Sequence, residues 1–332
     1  MSSLGSQRST TAPRELLIRQ TTWEADDVLS LEFVDPAGGK LSAWTPGAHI
    51  DLVLPTGVVR QYSLLGDPDD PYRYRVAVLK ETRGRGGSVH IHNHARAGTT
   101  MTVAGPRNHF ALMPSGSYLF IAGGIGITPI LPMVRHAQRQ GAEWTLVYGG
   151  RSRSSMAFLE EAERLDSRRV VVVPQDTDGL PDLHATITSA DRDTAVYCCG
   201  PEGLLRAVER ECRATLRSDA LHIERFGAPP AEAAKTAPTP VADERPFTVE
   251  LRRSRITVEV PADRTLLEVV KEVAPGVLYS CEEGYCGSCE VDVLDGTPDH
   301  RDTILSDADK AGGRTMMICV GRSLTPRLVL DV

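Results

Sequence analysis

From Arg14 to about Met113, apolar and polar positions alternate in short stretches such as Ala48-His49-Ile50-Asp51-Leu52-Val53-Leu54 and Tyr74-Arg75-Val76-Ala77-Val78, separated by turns rich in Gly, Pro and Asp. A period of two marks strands with one buried face, and a succession of them predicts an antiparallel β-barrel. From Ser115 the texture changes. Short apolar runs predict strands at Tyr118–Ala122, Thr145–Tyr148, Val170–Val173 and Ala195–Cys198, with helices over Pro129–Gln140, over Met156–Arg164 and after the last strand. Strands alternating with helices predict an α/β domain with a parallel sheet. Gly227 to Pro246 is Pro/Ala-rich and reads as a semi-extended linker. Beyond it, strands at Phe247–Leu251 and Ile256–Val260 and a helix from Thr265 to Val273 predict a small α+β module of the β-grasp kind. The expected organisation is multidomain: a flexible tail (1–13), a β-barrel (14–113), an α/β domain (114–227), a linker (228–246) and the α+β module (247–332).

A length of 332 residues suggests two or three domains, and this texture selects three. No apolar run approaches the roughly 18 residues that span a membrane. The Ser/Thr-rich stretch Met1–Pro13 has no hydrophobic core of a signal peptide. Seven cysteines, an odd number, without an export signal point to the cytoplasm. A net charge of −7 argues against nucleic acid as a partner. That charge is concentrated between Cys281 and Lys310, where nine acidic residues (Glu282, Glu283, Glu290, Asp292, Asp295, Asp299, Asp302, Asp307, Asp309) face two basic ones. The segment is either a solvated face or a docking surface for a basic partner, and the residues leave both open.

The densest chemistry lies in the same segment. Cys281, Cys286, Cys289 and Cys319 are spaced C-x4-C-x2-C-x29-C, the ligand pattern of a plant-type 2Fe-2S cluster. Each iron needs two protein thiolates beside two bridging sulfides. Gly284 and Gly287 allow a tight loop with amides aimed at the sulfurs. Structural zinc prefers paired C-x2–4-C hooks and fits this spacing poorly.

In the barrel, Arg60-Gln61-Tyr62-Ser63-Leu64 alternates as a strand, with Arg60, Tyr62 and Leu64 on one side and Gln61 and Ser63 on the other. A cation for phosphate, an aromatic face and a hydroxyl near the hydride-accepting N5 are what a bound flavin needs. The turn Gly84-Arg85-Gly86-Gly87-Ser88 before a short helix is a second anion site, with Gly86, Gly87 and Ser88 against the phosphate. His90, His92 and His94 are spaced by two and do not converge on a metal, so they read as polar residues of a short helix. In the α/β domain, Gly123-Gly124-Ile125-Gly126-Ile127-Thr128-Pro129 is a Gly-rich turn into a helix, with Thr128 as expected N-cap, and admits a pyrophosphate. It is not the ordinary G-x-G-x-x-G fingerprint. Cys199-Gly200-Pro201 ends a strand at the edge where open parallel sheets bind ligands, which makes Cys199 a candidate nicotinamide neighbour. Cys212 shares a helical face with Leu205, Val208 and Leu216 and reads as core.

Taken together, Arg60-Gln-Tyr-Ser, Gly86-Gly-Ser, Ala122-Gly-Gly-Ile-Gly-Ile-Thr-Pro, Tyr148-Gly-Gly-Arg, Cys199-Gly-Pro, His222-Ile-Glu-Arg-Phe and the four cysteines resemble the phthalate dioxygenase reductase and vanillate demethylase reductase family. The likeness runs from about Arg14 to Val332. It implies FMN, which spacing alone does not distinguish from FAD, with Arg60 and Ser88 near its phosphate and Tyr62 and Ser63 at its ring. It also implies that Cys199 and Glu224 lie near the nicotinamide and the flavin. NADH is the implied donor. Arg151 and Arg153, just after the second strand of the α/β domain, could meet a 2′-phosphate, which keeps NADPH open. The implied activity is an electron split: a pair arrives as hydride and leaves singly through the cluster to a terminal oxygenase, with the reductase itself a monomer. Alternatives are a haem monooxygenase as acceptor in place of a Rieske-type one, and a redox sensor without enzymatic turnover.

Overall fold

The computed structural model describes residues 13–82, 84, 86–215, 220–227 and 245–332. These fall into two compact units that meet in sequence between Arg225 and Phe226. The N-terminal tail up to residue 12, Arg85, Leu216 and most of the expected linker (228–244) lie outside the described residues.

The first unit opens with β1 (Arg14–Ala25), β2 (Val28–Val34), β3 (Ala48–Val53), β4 (Val59–Ser63), β5 (Tyr74–Leu79), helix α1 (Gly87–His94) and β6 (Thr100–Asn108). They form an antiparallel six-stranded sheet in the order β4-β3-β6-β1-β2-β5. It curls so that the chain just past β4 reaches β5, where Leu65 N–H donates to Arg75 O at 2.9 Å. Alternate side chains fill the interior: Leu16, Ile18, Leu31, Phe33, Ile50, Leu52, Val76 and Val78 are all buried there.

Next come β7 (Ser117–Gly123), α2 (Ile127–Arg139), β8 (Glu143–Gly150), α3 (Leu159–Glu163), β9 (Val170–Pro174), α4 (Gln175–Asp178), α5 (Leu183–Thr188), β10 (Ala195–Cys199), α6 (Glu202–Thr215) and β11 (Leu221–Glu224). Their parallel sheet has the order β11-β10-β7-β8-β9. The chain starts in the middle at β7, runs outward through β8 and β9, then crosses back to β10. A reversal of this kind marks the C-terminal ends of β7 and β10 as the place where open parallel sheets bind ligands. One apolar cluster joins the sheet to the barrel, with Ala25, Val28, Leu65, Ala77 and Phe110 packed among Phe120, Ile130, Tyr148 and Tyr197. Arg135 spans the same seam, donating to Leu65 O at 3.0 Å and pairing with Glu161.

Two expectations need correction. The helix expected over Met156–Arg164 is confined to Leu159–Glu163. The chain before it is held otherwise: Tyr148 Oη donates to Ala157 O at 2.9 Å, and Phe158 takes a left-handed backbone with its ring 4.9 Å from the Arg75 guanidinium. Thr128 does not cap α2. A 3-10 turn at Gly124–Gly126 leads into the helix, and Thr128 is already inside its first turn with its hydroxyl donating to Ile125 O at 3.0 Å.

The second unit holds β12 (Phe247–Leu251), β13 (Ile256–Val260), α7 (Leu266–Val273), β14 (Glu290–Asp295), β15 (Pro298–Asp299), α8 (Asp307–Gly312), β16 (Thr315–Met317), β17 (Arg322–Ser323) and β18 (Arg327–Leu330). Five of the strands form a mixed sheet in the order β13-β12-β18-β14-β16, parallel only between β12 and β18. Helix α7 buries Leu266, Leu267, Val269 and Val270 in this unit's core, each contributing about 1.5–3 kcal/mol of transfer free energy. Its start is fixed by a capping box in which Thr265 Oγ1 accepts from Glu268 N–H and the Glu268 carboxylate accepts from Thr265 N–H. Thr265→Ala should therefore destabilise this unit by about 1 kcal/mol, read as a lower urea midpoint for loss of its own transition while the first unit's is unchanged.

Candidate functional site

Register places the site residues. In the barrel, Ser63 is the Cα partner of His49 across β3 and β4. Leu64 N–H donates to Ala48 O at 2.8 Å, so Ser63 and His49 form the closer, non-hydrogen-bonded kind of pair with side chains on one face. Gln61 lies on that face too, 3.2 Å from the His49 ring, while Tyr62 and Leu64 pack towards the barrel core. Burial, the Arg107 charge and His109 together hold the His49 imidazole well below its usual pKa. Asp51, fully buried on the same face, pairs with Arg107 at 2.5 Å. His49, Asp51 and Arg107 were not singled out in the sequence. The alternation in Ala48–Leu54 carried the signal, because it sets a His and an Asp on the face opposite the apolar one.

Arg60, on the other face of β4, lies over the start of α1: a Cβ on Gly87 would stand 2.7 Å from Arg60 Cγ and Nε. The N-cap of α1, Gly86, has φ +79° and gives the helix no side-chain cap, so among the described residues no side chain caps this end, which lies beside the Arg60 guanidinium. Ser88 Oγ accepts from Glu81 N–H at 2.9 Å and ties the Gly-rich turn back to the end of β5. Among the three histidines of α1, His90 and His94 stack at 4.2 Å and His92 Nε2 is 2.9 Å from Val78 O.

In the parallel sheet, Cys199 is paired with Ala122 of β7 on one side and Glu224 of β11 on the other. The two Gly-rich turns touch: a Cβ on Gly126 would lie 2.2 Å from Cys199 O, and one on Gly200 would lie 2.9 Å from Gly123 Cα. Pro201 Cδ would stand 2.7 Å from a Cβ on Gly123. Only glycine fits these places. Gly124, with φ +53°, has open space around it. Cys199 Sγ is 3.9 Å from Glu224 Oε2, and burial, then the Glu224 charge, push its thiol pKa well up. Part of Glu224 reaches solvent, yet its carboxyl is desolvated and its pKa is pushed up to about 8, opposed by Cys199 and by Ser63. The buried Ser63 hydroxyl faces the Glu224 carboxyl without completing a well-formed hydrogen bond among the described residues, which leaves it available to a flavin ring nitrogen. Arg151 is exposed just past β8, whereas Arg153 is held by Glu163 at 2.9 Å.

In the second unit the four cysteines converge. All are at most 8% exposed. Cys281 N–H donates to Cys286 Sγ at 3.4 Å, Glu283 N–H to Cys281 Sγ at 3.3 Å, and the Gly284 amide is aimed at Cys319. Gly284 and Gly287 have φ of +74° and +76°, which the loop requires. Thiolates crowded this way and met by amides suit an iron-sulfur cluster. The acidic segment is not one surface: Asp302 is buried, Asp299 pairs with Arg301 at 2.8 Å, and Glu282 and Glu283 are exposed.

The comparisons agree with this layout. Residues 249–323 match the 2Fe-2S iron-sulfur cluster binding domain, and residues 120–210 match the oxidoreductase NAD-binding domain. Phenoxybenzoate dioxygenase subunit beta of Ectopseudomonas oleovorans is 43% identical over 330 residues, 98% of this chain and 100% of its own length. The solved structure of phthalate dioxygenase reductase is 34% identical with a TM-score of 0.68, over 97% of this chain and 98% of that one. The chain belongs to the phthalate dioxygenase reductase family. It is an NADH-dependent oxidoreductase with a 2Fe-2S cluster binding domain. The reductase is also similar to an intact self-sufficient cytochrome P450 monooxygenase, 40% identical with a TM-score of 0.82, of which it spans 41% of the length.

The raised Glu224 pKa makes the stability of the reductase depend on pH. A carboxyl whose folded pKa is about 8, against an ordinary 4.5, stabilises the fold fully below about 4.5 and loses that contribution as pH rises through 8. Glu224→Gln should remove the slope. Urea unfolding of flavin-free protein at about pH 5 and about pH 8 reads it: the wild type weakens towards pH 8 and the variant changes less.

Proposed function

We propose that this reductase serves a separate Rieske-type non-haem iron oxygenase, taking electron pairs from NADH and delivering them singly, as a monomer in the cytoplasm. The observation that carries the electron-splitting part is the convergence of Ser63 from β4, Cys199 from β10 and Glu224 from β11 in the first unit, with four thiols gathered in the second. Bound FMN supplies a ring that accepts hydride and gives up electrons one at a time. The rest is the chain's own work. Arg60 and the open start of α1, with Gly86, Gly87 and Ser88, hold the phosphate. Strand β4 ends the sheet order, so its open edge gives one ring access to Tyr62 on one face and Ser63 on the other. Gly123, Gly124, Gly126, Thr128, Gly200 and Pro201 shape the pyrophosphate crevice, and Cys199 with Glu224 positions the nicotinamide. Its buried thiol stays protonated and adds no charge where hydride passes. Arg151 borders the adenosine side and is the residue through which NADPH would be accepted.

Support for an oxygenase partner comes from relatives named for dioxygenase systems that match 98% and 93% of the chain. Similarity to a cytochrome P450 monooxygenase favours a haem acceptor as the second reading. Mixing the reductase and NADH with each class of purified oxygenase, and following substrate oxidation, separates the two. Glu282 and Glu283 are the acidic residues best placed to meet such a partner.

Cys281→Ser should abolish the cluster's visible absorbance and electron delivery to a one-electron protein acceptor, while FMN content and NADH oxidation with ferricyanide persist. Loss of ferricyanide reduction in a folded, flavin-loaded variant would contradict separate sites. Arg60→Ala should weaken FMN binding by about 1.5–3 kcal/mol, the worth of a charge-assisted contact, roughly a tenfold to hundredfold rise in Kd on titrating the apoprotein.

A further inference from the structure

The turn at 299–305 of the second unit holds charged side chains that the reaction described above does not use. Asp302 has only 1% of its side chain exposed. Its Oδ2 accepts from Ile304 N–H at 3.2 Å and Leu305 N–H at 2.8 Å, while Oδ1 makes no hydrogen bond among the described residues and faces His300 Nδ1 at 3.7 Å. The Lys310 ammonium lies 4.0 Å from Oδ2 and donates to Asp302 O at 2.7 Å. Desolvating a carboxylate is costly, and this one is retained where two amides alone would suffice to hold a neutral acceptor.

The turn leans directly on the ligand loop. Thr303 N–H donates to Gly284 O at 3.0 Å, and a Cβ on Gly284 would stand 3.2 Å from Asp302 Cα. Gly284 in turn aims its own amide at Cys319. Gly284 therefore lies between the backbone of Asp302 and a cluster ligand.

We propose that Asp302 and Lys310 set the reduction potential of the 2Fe-2S cluster in opposite senses, the carboxylate holding it down and the ammonium holding it up. Reduction adds one electron and breaks no bond, so the cluster becomes one unit more negative. A fixed anion disfavours that state and a fixed cation favours it, most strongly where water is excluded. The inference rests on the four cysteines holding the cluster, which the wild-type absorbance and EPR signal verify before any potential is compared.

The test is a potentiometric titration of the full chain, poised with dithionite and ferricyanide through mediators and read by EPR of the reduced cluster. Asp302→Asn is nearly isosteric and its amide oxygen still accepts from Ile304 and Leu305, so it removes the charge and keeps the turn. It should raise the potential, and Lys310→Met should lower it, each by about a tenfold change in electron affinity, or 59 mV for one electron. Lys310→Arg should restore the wild-type value. Shifts of the same sign in the Asn and Met variants, or none in either, overturn the proposal. If Asp302→Asn does not assemble a cluster, Lys310→Met against Lys310→Arg decides, and equal potentials for those two overturn it.

Discussion

Everything in the first unit depends on an approach so close that no side chain fits in it: Gly126 against the carbonyl of Cys199. Because the turn after β7 lies directly on the turn after β10, the point where the strand order reverses presents backbone close to backbone. The same contact fixes the height of Cys199. Parallel register then sets Glu224 beside it, and the apolar seam shared with the barrel brings the end of β4 to the same place. A thiol, a carboxyl and a hydroxyl from three strands meet there because two glycines let two loops touch.

The division of the chain follows from the chemistry of its electrons. A hydride carries two, whereas a 2Fe-2S cluster takes one. On the proposed reading hydride transfer needs neutral neighbours, and burial favours the protonated forms of both Cys199 and Glu224. The cluster site needs thiolates met by amide dipoles, which a loop turned at two left-handed glycines presents. These demands conflict locally, and the reductase meets them in separate compact units.

Much of this was legible in the sequence because the signals are local. Period-two alternation marked the barrel strands, short apolar runs marked β7, β8, β9 and β10, and cysteine spacing marked the cluster loop. What was not legible depends on contacts between distant residues. Met156–Phe158 has helical composition but is pinned by Tyr148 and drawn under Arg75, so α3 begins late. Thr128 looks like a cap, yet the 3-10 turn before it starts the helix earlier. The acidic run near the cluster looks uniform as sequence, while in the fold Asp302 turns inward and Asp299 finds Arg301. His49 and Asp51 showed only as polar members of an alternating strand, and their meaning needed the register with β4 and β6.

The central claim is that one chain converts a hydride into single electrons by way of FMN and the cluster. Anaerobic addition of NADH to the purified reductase, with flavin absorbance and the EPR signal of the reduced cluster followed together, tests it most directly. The account predicts flavin bleaching on hydride arrival and a reduced-cluster signal within the same turnover, without any added mediator. Flavin bleached by NADH beside a cluster that stays oxidised would contradict it.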